Sequence, residues 1–120
     1  EFVHAVSWLK EAGFAASEIG AYVFVGYPGQ TPEEAARACL FAHRQGILVK
    51  QTQYAPTPQS AIWERGFPDF RFDPGEDPLL QNCTLMPWRS DTFPASVYFR
   101  LRERINRWNA LAQRGCRCDE

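Results

Sequence analysis

Long apolar runs are missing from this chain of 120 residues. No stretch reaches the roughly 18 consecutive hydrophobic residues that would read as a membrane-spanning helix. An excess of one charge is missing too. With Lys+Arg at 13 and Asp+Glu at 14, the net charge is -1, which argues against a general nucleic-acid or membrane-surface role. Histidine is scarce. His4 and His43 have no cysteine or carboxylate at ligand spacing, so both read as surface or cap residues. Cysteine is present only as Cys39, Cys83, Cys116 and Cys118, which form no secreted disulfide framework, and a reducing cytoplasm is expected. Cys39 stands among alanines as a small apolar residue. Cys116 and Cys118 fit no standard zinc spacing and read as free thiols. No basic leader precedes an apolar block, so no signal peptide is read. The chain opens inside a helical pattern, as the later part of a longer protein would. Ser60, Ser90 and Ser96 sit in no nucleophile elbow, and no Ser–His–Asp arrangement is visible.

What is present is an ordered alternation of helix and strand signals. Phe2 to Ala12 carries Phe2, Val6 and Leu9 on one helical stripe, closed by Gly13 and followed by the apolar Phe14. Ala21 to Val25, preceded by Ile19 and Gly20, is an unbroken β-branched and aromatic run. Such a run predicts a parallel strand covered on both faces. It ends in the turn Gly26-Tyr27-Pro28-Gly29. Thr31, Pro32 and Glu34 then form a capping box with proline at the first helical position. The helix they open places Ala35, Cys39 and Ala42 on one face and stops at Gly46. Ile47 to Tyr54 is a second strand with a polar end, Gln51-Thr52-Gln53, expected to face a cleft at the carboxyl end of the sheet. Strand, helix and strand at this spacing predict a right-handed parallel unit.

Beyond Ala55 the pattern breaks. Ile62, Trp63 and Arg65 suggest one short helix, and Phe70 and Phe72 a brief strand. Prolines 68, 74, 78, 87 and 94 prevent long elements up to Pro94. A loop of that length is usually a lid, a wrapping arm or a binding segment. The last helix is the best marked, with Val97, Leu101, Ile105, Trp108 and Leu111 at 3–4 spacing. The predicted fold is therefore α/β, divided into residues 1–66 carrying the βα units, an irregular segment 67–94, and a C-terminal helix and tail 95–120.

The segment Val25-Gly26-Tyr27-Pro28-Gly29-Gln30-Thr31-Pro32-Glu33-Glu34 resembles the fifth-strand turn of radical S-adenosylmethionine enzymes. There a strand runs into a Gly-Leu-Pro-Gly-Glu/Gln-Thr turn and an acidic helix start. Downstream, Tyr54-Ala55-Pro56-Thr57-Pro58-Gln59-Ser60-Ala61-Ile62-Trp63-Glu64 is similar to the family's sixth-strand exit, usually Pro-x-Pro-Gly-Thr and an apolar residue. The interval between the two fits one helix and one strand, and the likeness covers about half the chain. It implies a fragment of a partial (β/α)6 TIM-like barrel with parallel strands, to which this chain supplies the last two strands, the long loop and the C-terminal helix. In the family, a [4Fe-4S] cluster on a C-x-x-x-C-x-x-C set binds S-adenosylmethionine and cleaves it to a 5′-deoxyadenosyl radical. No cysteines here have that spacing, so the chain alone is expected to be inactive and to depend on the remainder of its own polypeptide. The turn style followed by a long irregular tail is similar to the subgroup with an N-terminal cobalamin-binding domain, which implies cobalamin as a further cofactor.

Residue by residue, the resemblance implies cofactor contacts only. Phe24 matches the apolar position that packs on the adenine, and Gly26 the glycine that admits the nucleoside. Gln53, Tyr54 and Pro56 stand at the strand exit whose backbone meets the adenine. Alternation puts Tyr22, Phe24 and Gly26 on one inward face. Four positions depart from the family: Tyr22 stands where many members have glycine, Gln59-Ser60 replace Gly-Thr, and Gln30 replaces the commoner Glu.

Plainer readings stand beside these. The Gly26–Thr31 turn is also an ordinary strand-to-helix turn. Arg100, Arg104 and Arg107 form either a phosphate-binding stripe or a solvated helix face. Asp69, Asp73, Glu76 and Asp77 lack the alternation of a calcium loop. A function of a different class is a non-catalytic interaction domain whose aromatic loop 67–93 grips a protein partner. Two strands alone would leave ladder groups unpaired at both edges, so homo-oligomerisation or strand exchange is expected of the isolated chain.

Overall fold

The computed structural model describes residues 1–66, 69–73, 75, 79–80 and 84–114. Helix α1 (Phe2–Glu11) leads through a single 3-10 turn (Ala16–Glu18) into strand β1 (Gly20–Val25). Helix α2 (Pro32–Arg44) crosses to strand β2 (Leu48–Gln53), followed by the short helix α3 (Ala61–Gly66) and the long helix α4 (Ala95–Gln113). β1 and β2 form a two-stranded parallel sheet in the register Gly20↔Leu48 to Val25↔Gln53. The chain is thus a mixed α/β structure with the parallel unit that its hydrophobic pattern predicts. None of its described helices is long and apolar enough to cross a membrane.

Local chemistry explains the boundaries of α2. The Thr31 hydroxyl accepts from the Glu34 backbone N–H at 3.2 Å, and the Glu34 carboxylate accepts from the Thr31 N–H at 2.8 Å. Hydrogen bonding from the Thr31 backbone N–H, and next from the Thr31 side chain, holds the Glu34 carboxyl below its ordinary pKa, with Arg37 contributing less. At the other end the Gly46 N–H reaches the His43 carbonyl at 2.8 Å, with Gly46 at φ 72°.

The core lies on one face of the sheet. Val25, Ala35, Cys39, Ala42, Val49, Met86, Phe93, Tyr98, Leu101, Ile105 and Trp108 form one cluster between the strands, α2 and α4. Each large side chain buried there contributes about 1.5–3 kcal/mol of transfer free energy. Burial lifts the Cys39 thiol to about 11, in keeping with an apolar role. A second cluster of Val6, Ile19 and Ile47 seats α1. Of the stripe predicted on that helix only Val6 is buried, and Phe2 and Leu9 stay about two-fifths exposed.

Three other expectations need correction. β1 is covered on one face only: Tyr22 is 69% exposed and Phe24 59%, because α2 and α4 both pack against the side that carries Val25 and Val49. His43 is neither a surface nor a cap residue. It is buried, and its ring stacks on Trp108 at 5.5 Å and 12°. The predicted strand at Phe70 and Phe72 is a single antiparallel bridge between Phe70 and Trp88. Cys83, Cys116, Cys118, Glu76 and Asp77 fall outside the described residues.

Candidate functional site

In a parallel ladder the N–H and C=O of one residue point to the same side, and successive residues alternate. The Leu48 N–H bonds the Ile19 carbonyl at 2.9 Å and the Tyr54 N–H bonds the Val25 carbonyl at 2.8 Å. With the observed register, Ala21, Val23 and Val25 therefore aim their backbone groups at β2. Gly20, Tyr22 and Phe24 aim theirs at the outer edge of β1, while Val49, Gln51 and Gln53 aim theirs at the outer edge of β2.

The two edges differ. At β2 the Asn109 side-chain amide, projecting from α4, accepts from the Val49 N–H at 2.9 Å and donates to the Val49 carbonyl at 2.8 Å. One planar side chain thus satisfies both backbone groups, as a third strand would. The β2 edge is therefore closed at Val49. At β1 only the last position is closed. The buried Gln30 carbonyl oxygen accepts from the Gly26 N–H at 2.7 Å, and its amide donates to the Phe24 carbonyl at 3.4 Å. Among the described residues no third strand lies beside Gly20, Tyr22 and Phe24.

The same alternation sorts the side chains. Tyr22, Phe24, Lys50 and Thr52 share the open face, with the Lys50 ammonium 5.3 Å from the centre of the Tyr22 ring. Gln51 and Gln53 lie on the covered face. The Gln53 amide donates to the Thr84 carbonyl at 3.3 Å and its oxygen accepts from the Met86 N–H at 3.0 Å; the Gln51 amide donates to the Tyr98 carbonyl at 3.0 Å. The polar end of β2 therefore fastens the C-terminal segment instead of lining a cleft, which corrects the reading of Gln51 and Gln53 as cleft residues. Their fixed distance to that segment was invisible locally, since every partner lies far along the chain.

The five implied cofactor contacts separate in the same way. Phe24 stands on the open face. Gly26 is buried at φ 77°, and a Cβ there would fall 2.3 Å from Met86 Cε, so the room it leaves on that side is taken by Met86. Gln53 faces the covered side, Tyr54 is half-buried, with burial raising the pKa of its phenol, and Pro56 is fully buried. The structure thus brings Phe24 together with Tyr22, Lys50 and Thr52, and gives Gly26, Gln53 and Pro56 to the packing that supports the strand ends.

The exit from β2 turns through a left-handed residue into α3. Gln59, standing where the resemblance has glycine, adopts φ 64°, a left-handed conformation that favours glycine. Ser60, standing where it has threonine, accepts from the Trp63 N–H at 3.2 Å and so caps α3. Gln59→Gly is accordingly expected to stabilise the chain by about 0.5–1 kcal/mol after the greater freedom of unfolded glycine is deducted. Urea titration of the two proteins measures the difference, and an unchanged or lower midpoint would show that Gln59 is not strained.

The aromatic loop folds on itself. Phe70 is 2% exposed and packs on Trp63, Phe72 and Trp88 with ring centres 5.3–5.4 Å away. Backbone bonds from Arg71 to Pro87 and from Arg89 to Asp69 hold the two sides of the segment together. Phe93 is buried in the main core. Among the described residues Trp63, Phe70, Phe72 and Trp88 build a small core of their own.

On α4, Arg100, Arg104 and Arg107 are all exposed, and Arg104 lies over the Trp108 ring at 5.2 Å. Among the described residues no group of three His, Cys, Asp or Glu is placed to hold a metal ion. No protein-family profile, curated protein or solved structure matches the chain.

Proposed function

We propose that this chain is the C-terminal portion of a radical S-adenosylmethionine enzyme, contributing to the adenosyl pocket and the substrate side of its barrel. The observation that carries the reading is the one-sided sheet. A parallel strand–helix–strand unit has helices on one face, while aromatic side chains stand bare on the other beside an open edge. That is the form a terminal barrel unit takes when the neighbouring strands belong to preceding sequence. The left-handed backbone at Gln59 and the Ser60 cap support it further, because a left-handed position suits the glycine, and a helix N-cap the threonine, that the sixth-strand pattern has there.

The nucleoside fits this chain in part. Phe24 offers an apolar ring at the carboxyl end of β1 for the flat adenine, with the β1 edge beside it for polar contacts. Gly26, Gln53 and Pro56 act behind that wall, holding the strand ends through Met86 and the 84–86 backbone. The iron–sulfur cluster does not fit, since the cysteines lack the required spacing, so its ligands and any cobalamin site belong to preceding sequence. In the family the cluster supplies the electron that cleaves S-adenosylmethionine; this chain's residues bind and orient.

Two measurements test the proposal. The coding sequence upstream of Glu1 is expected to carry C-x-x-x-C-x-x-C in the same reading frame; a stop codon just before Glu1 would contradict it and favour an interaction domain. In the longer protein, Phe24→Ala should weaken S-adenosylmethionine binding by about tenfold or more, since base–aromatic stacking contributes about 1–3 kcal/mol. Unchanged binding by calorimetry would remove Phe24 from the pocket.

A further inference from the structure

The arginines of α4 border a groove on the helical side of the sheet, away from its bare face. Pro32, Glu33 and Ala36 of α2 form one wall, and Val97, Arg100 and Arg104 of α4 the other. Its volume is about 420 Å³, within the range of about 300–1,000 Å³ usual for small-molecule sites. We propose that this groove binds a phosphate monoester with an apolar body, the phosphate held between Arg100 and Arg104.

Charge decides the class of ligand. Arg100 and Arg104 stand four residues apart, so they leave α4 as neighbours, about 5–6 Å apart at Cβ. Both are exposed. Among the described residues neither forms an ion pair or a hydrogen bond. Arg104 is held in place even so, its guanidinium 5.2 Å from the centre of the Trp108 ring. Trp108 is itself buried and stacked on His43. A guanidinium on an aromatic face keeps its N–H edge free for an acceptor. A carboxylate meets one such fork with its two oxygens. A phosphate monoester offers three oxygens and close to two negative charges, enough for both arginines.

The rest of the groove sets what the phosphate is attached to. Pro32, Ala36 and Val97 are half-buried and present carbon, on which a ring or a short chain can lie. Glu33 stands on the α2 side, with no ion pair crossing to the arginines. Its carboxylate disfavours a second acid at that end and accepts from a hydroxyl or an amine. The site does not draw on the α2 N-terminus, where the Thr31 hydroxyl already accepts from the Glu34 N–H.

Phenyl phosphate titrated into the isotope-labelled 120-residue chain tests the proposal by nuclear magnetic resonance. A dissociation constant of about 1 mM is expected for so small a ligand, with the Ala36 and Val97 methyl signals among those that move. Inorganic phosphate should bind more weakly by about fivefold or more, for want of the ring. Arg100→Gln and Arg104→Gln should each weaken phenyl phosphate by about fivefold or more, and Glu33→Gln should strengthen it. Arg102→Gln, on the opposite face of α4, should change nothing. All four side chains are exposed, so the fold should survive each change. No movement of the groove signals up to about 20 mM ligand would overturn the proposal. So would equal affinity for inorganic phosphate. An Arg102→Gln effect as large as that of Arg100→Gln would overturn it too, by marking a diffuse attraction to the arginines. The groove is separate from the open face, so none of these results touches S-adenosylmethionine binding by the longer protein, which decides the proposed function.

Discussion

Asn109→Leu is expected to lower the unfolding free energy by about 2–4 kcal/mol, because it strands two backbone groups where water enters poorly. The Asn109 amide bonds both the N–H and the C=O of Val49, at 2.9 and 2.8 Å, and Val49 is 1% exposed. Each unsatisfied backbone group costs about 1–3 kcal/mol, and leucine offers neither donor nor acceptor. Asn109→Asp has nearly the same shape and separates the two halves of the contact. Its carboxylate still accepts from the Val49 N–H but meets the Val49 carbonyl with a second oxygen, lone pair against lone pair. At neutral pH it should destabilise nearly as much as leucine, and it should recover part of the loss in acid, once the protonated carboxyl donates. Urea midpoints at pH 7 and pH 4, each referred to the parent protein, measure both effects. A leucine variant as stable as the parent would mean that Asn109 does not close the edge.

His43 should behave in the opposite sense. Both ring nitrogens are buried without a hydrogen-bond partner, and the ring is stacked on Trp108. Burial lowers its pKa, so the folded ring is neutral. Above the ordinary histidine pKa of about 6.5, neither the folded nor the unfolded state carries the proton and the site contributes no pH dependence. As pH falls below that value, the unfolded chain takes up a proton that the folded ring refuses. Stability is then lost, by at most about 1.4 kcal/mol for each pH unit, until the folded pKa is reached. His43→Leu removes both the unpaired polar atoms and the titration. A gain of about 1–2 kcal/mol at pH 7 is expected, with a larger gain at pH 5. Thermal unfolding across pH 5 to 7 checks it; a parent curve as flat as that of His43→Leu would contradict the neutral, unpartnered ring.

His43 and Asn109 also mark where the sequence stops being informative. The elements were legible because their signals are local. Thr31, Pro32 and Glu34 announce the start of α2 within four residues, the apolar run of β1 lies between glycines, and α4 repeats its apolar residues each turn. Pairing β1 with β2 in parallel followed from the length of the link between them. What sequence could not show were the contacts across long separations. Asn109 sits in the polar half of a helical pattern like any solvated residue, yet Val49 is 60 residues away. Gln51 and Gln53 looked like a polar strand end opening on a cleft, because nothing nearby reveals that residues 84–98 return to accept them. His43 reads as a surface or cap residue because no ligand partner stands near it in sequence, while in the fold it is buried against Trp108.

The candidate site was legible in the same uneven way. Alternation put Tyr22 and Phe24 together on one face, and there they are. Gly26 carried a glycine signal for a reason that the turn did not disclose, the approach of Met86. Gln53 lies diagonally beside Phe24 in the strand register but turns to the packed side, and Pro56, beyond the end of β2, is buried. A strand covered on both faces and a strand covered on one have the same apolar composition when the second cover comes from other polypeptide.

Amide hydrogen exchange on the dilute chain measures the difference between the two sheet edges most directly. The Val49 amide, held by Asn109, should exchange with the slow class of the core, and the Tyr22 and Phe24 amides with the fast, solvent-exposed class. If Tyr22 and Phe24 were as protected as Val49, β1 would already be covered within this chain, and a preceding strand would have no edge to occupy.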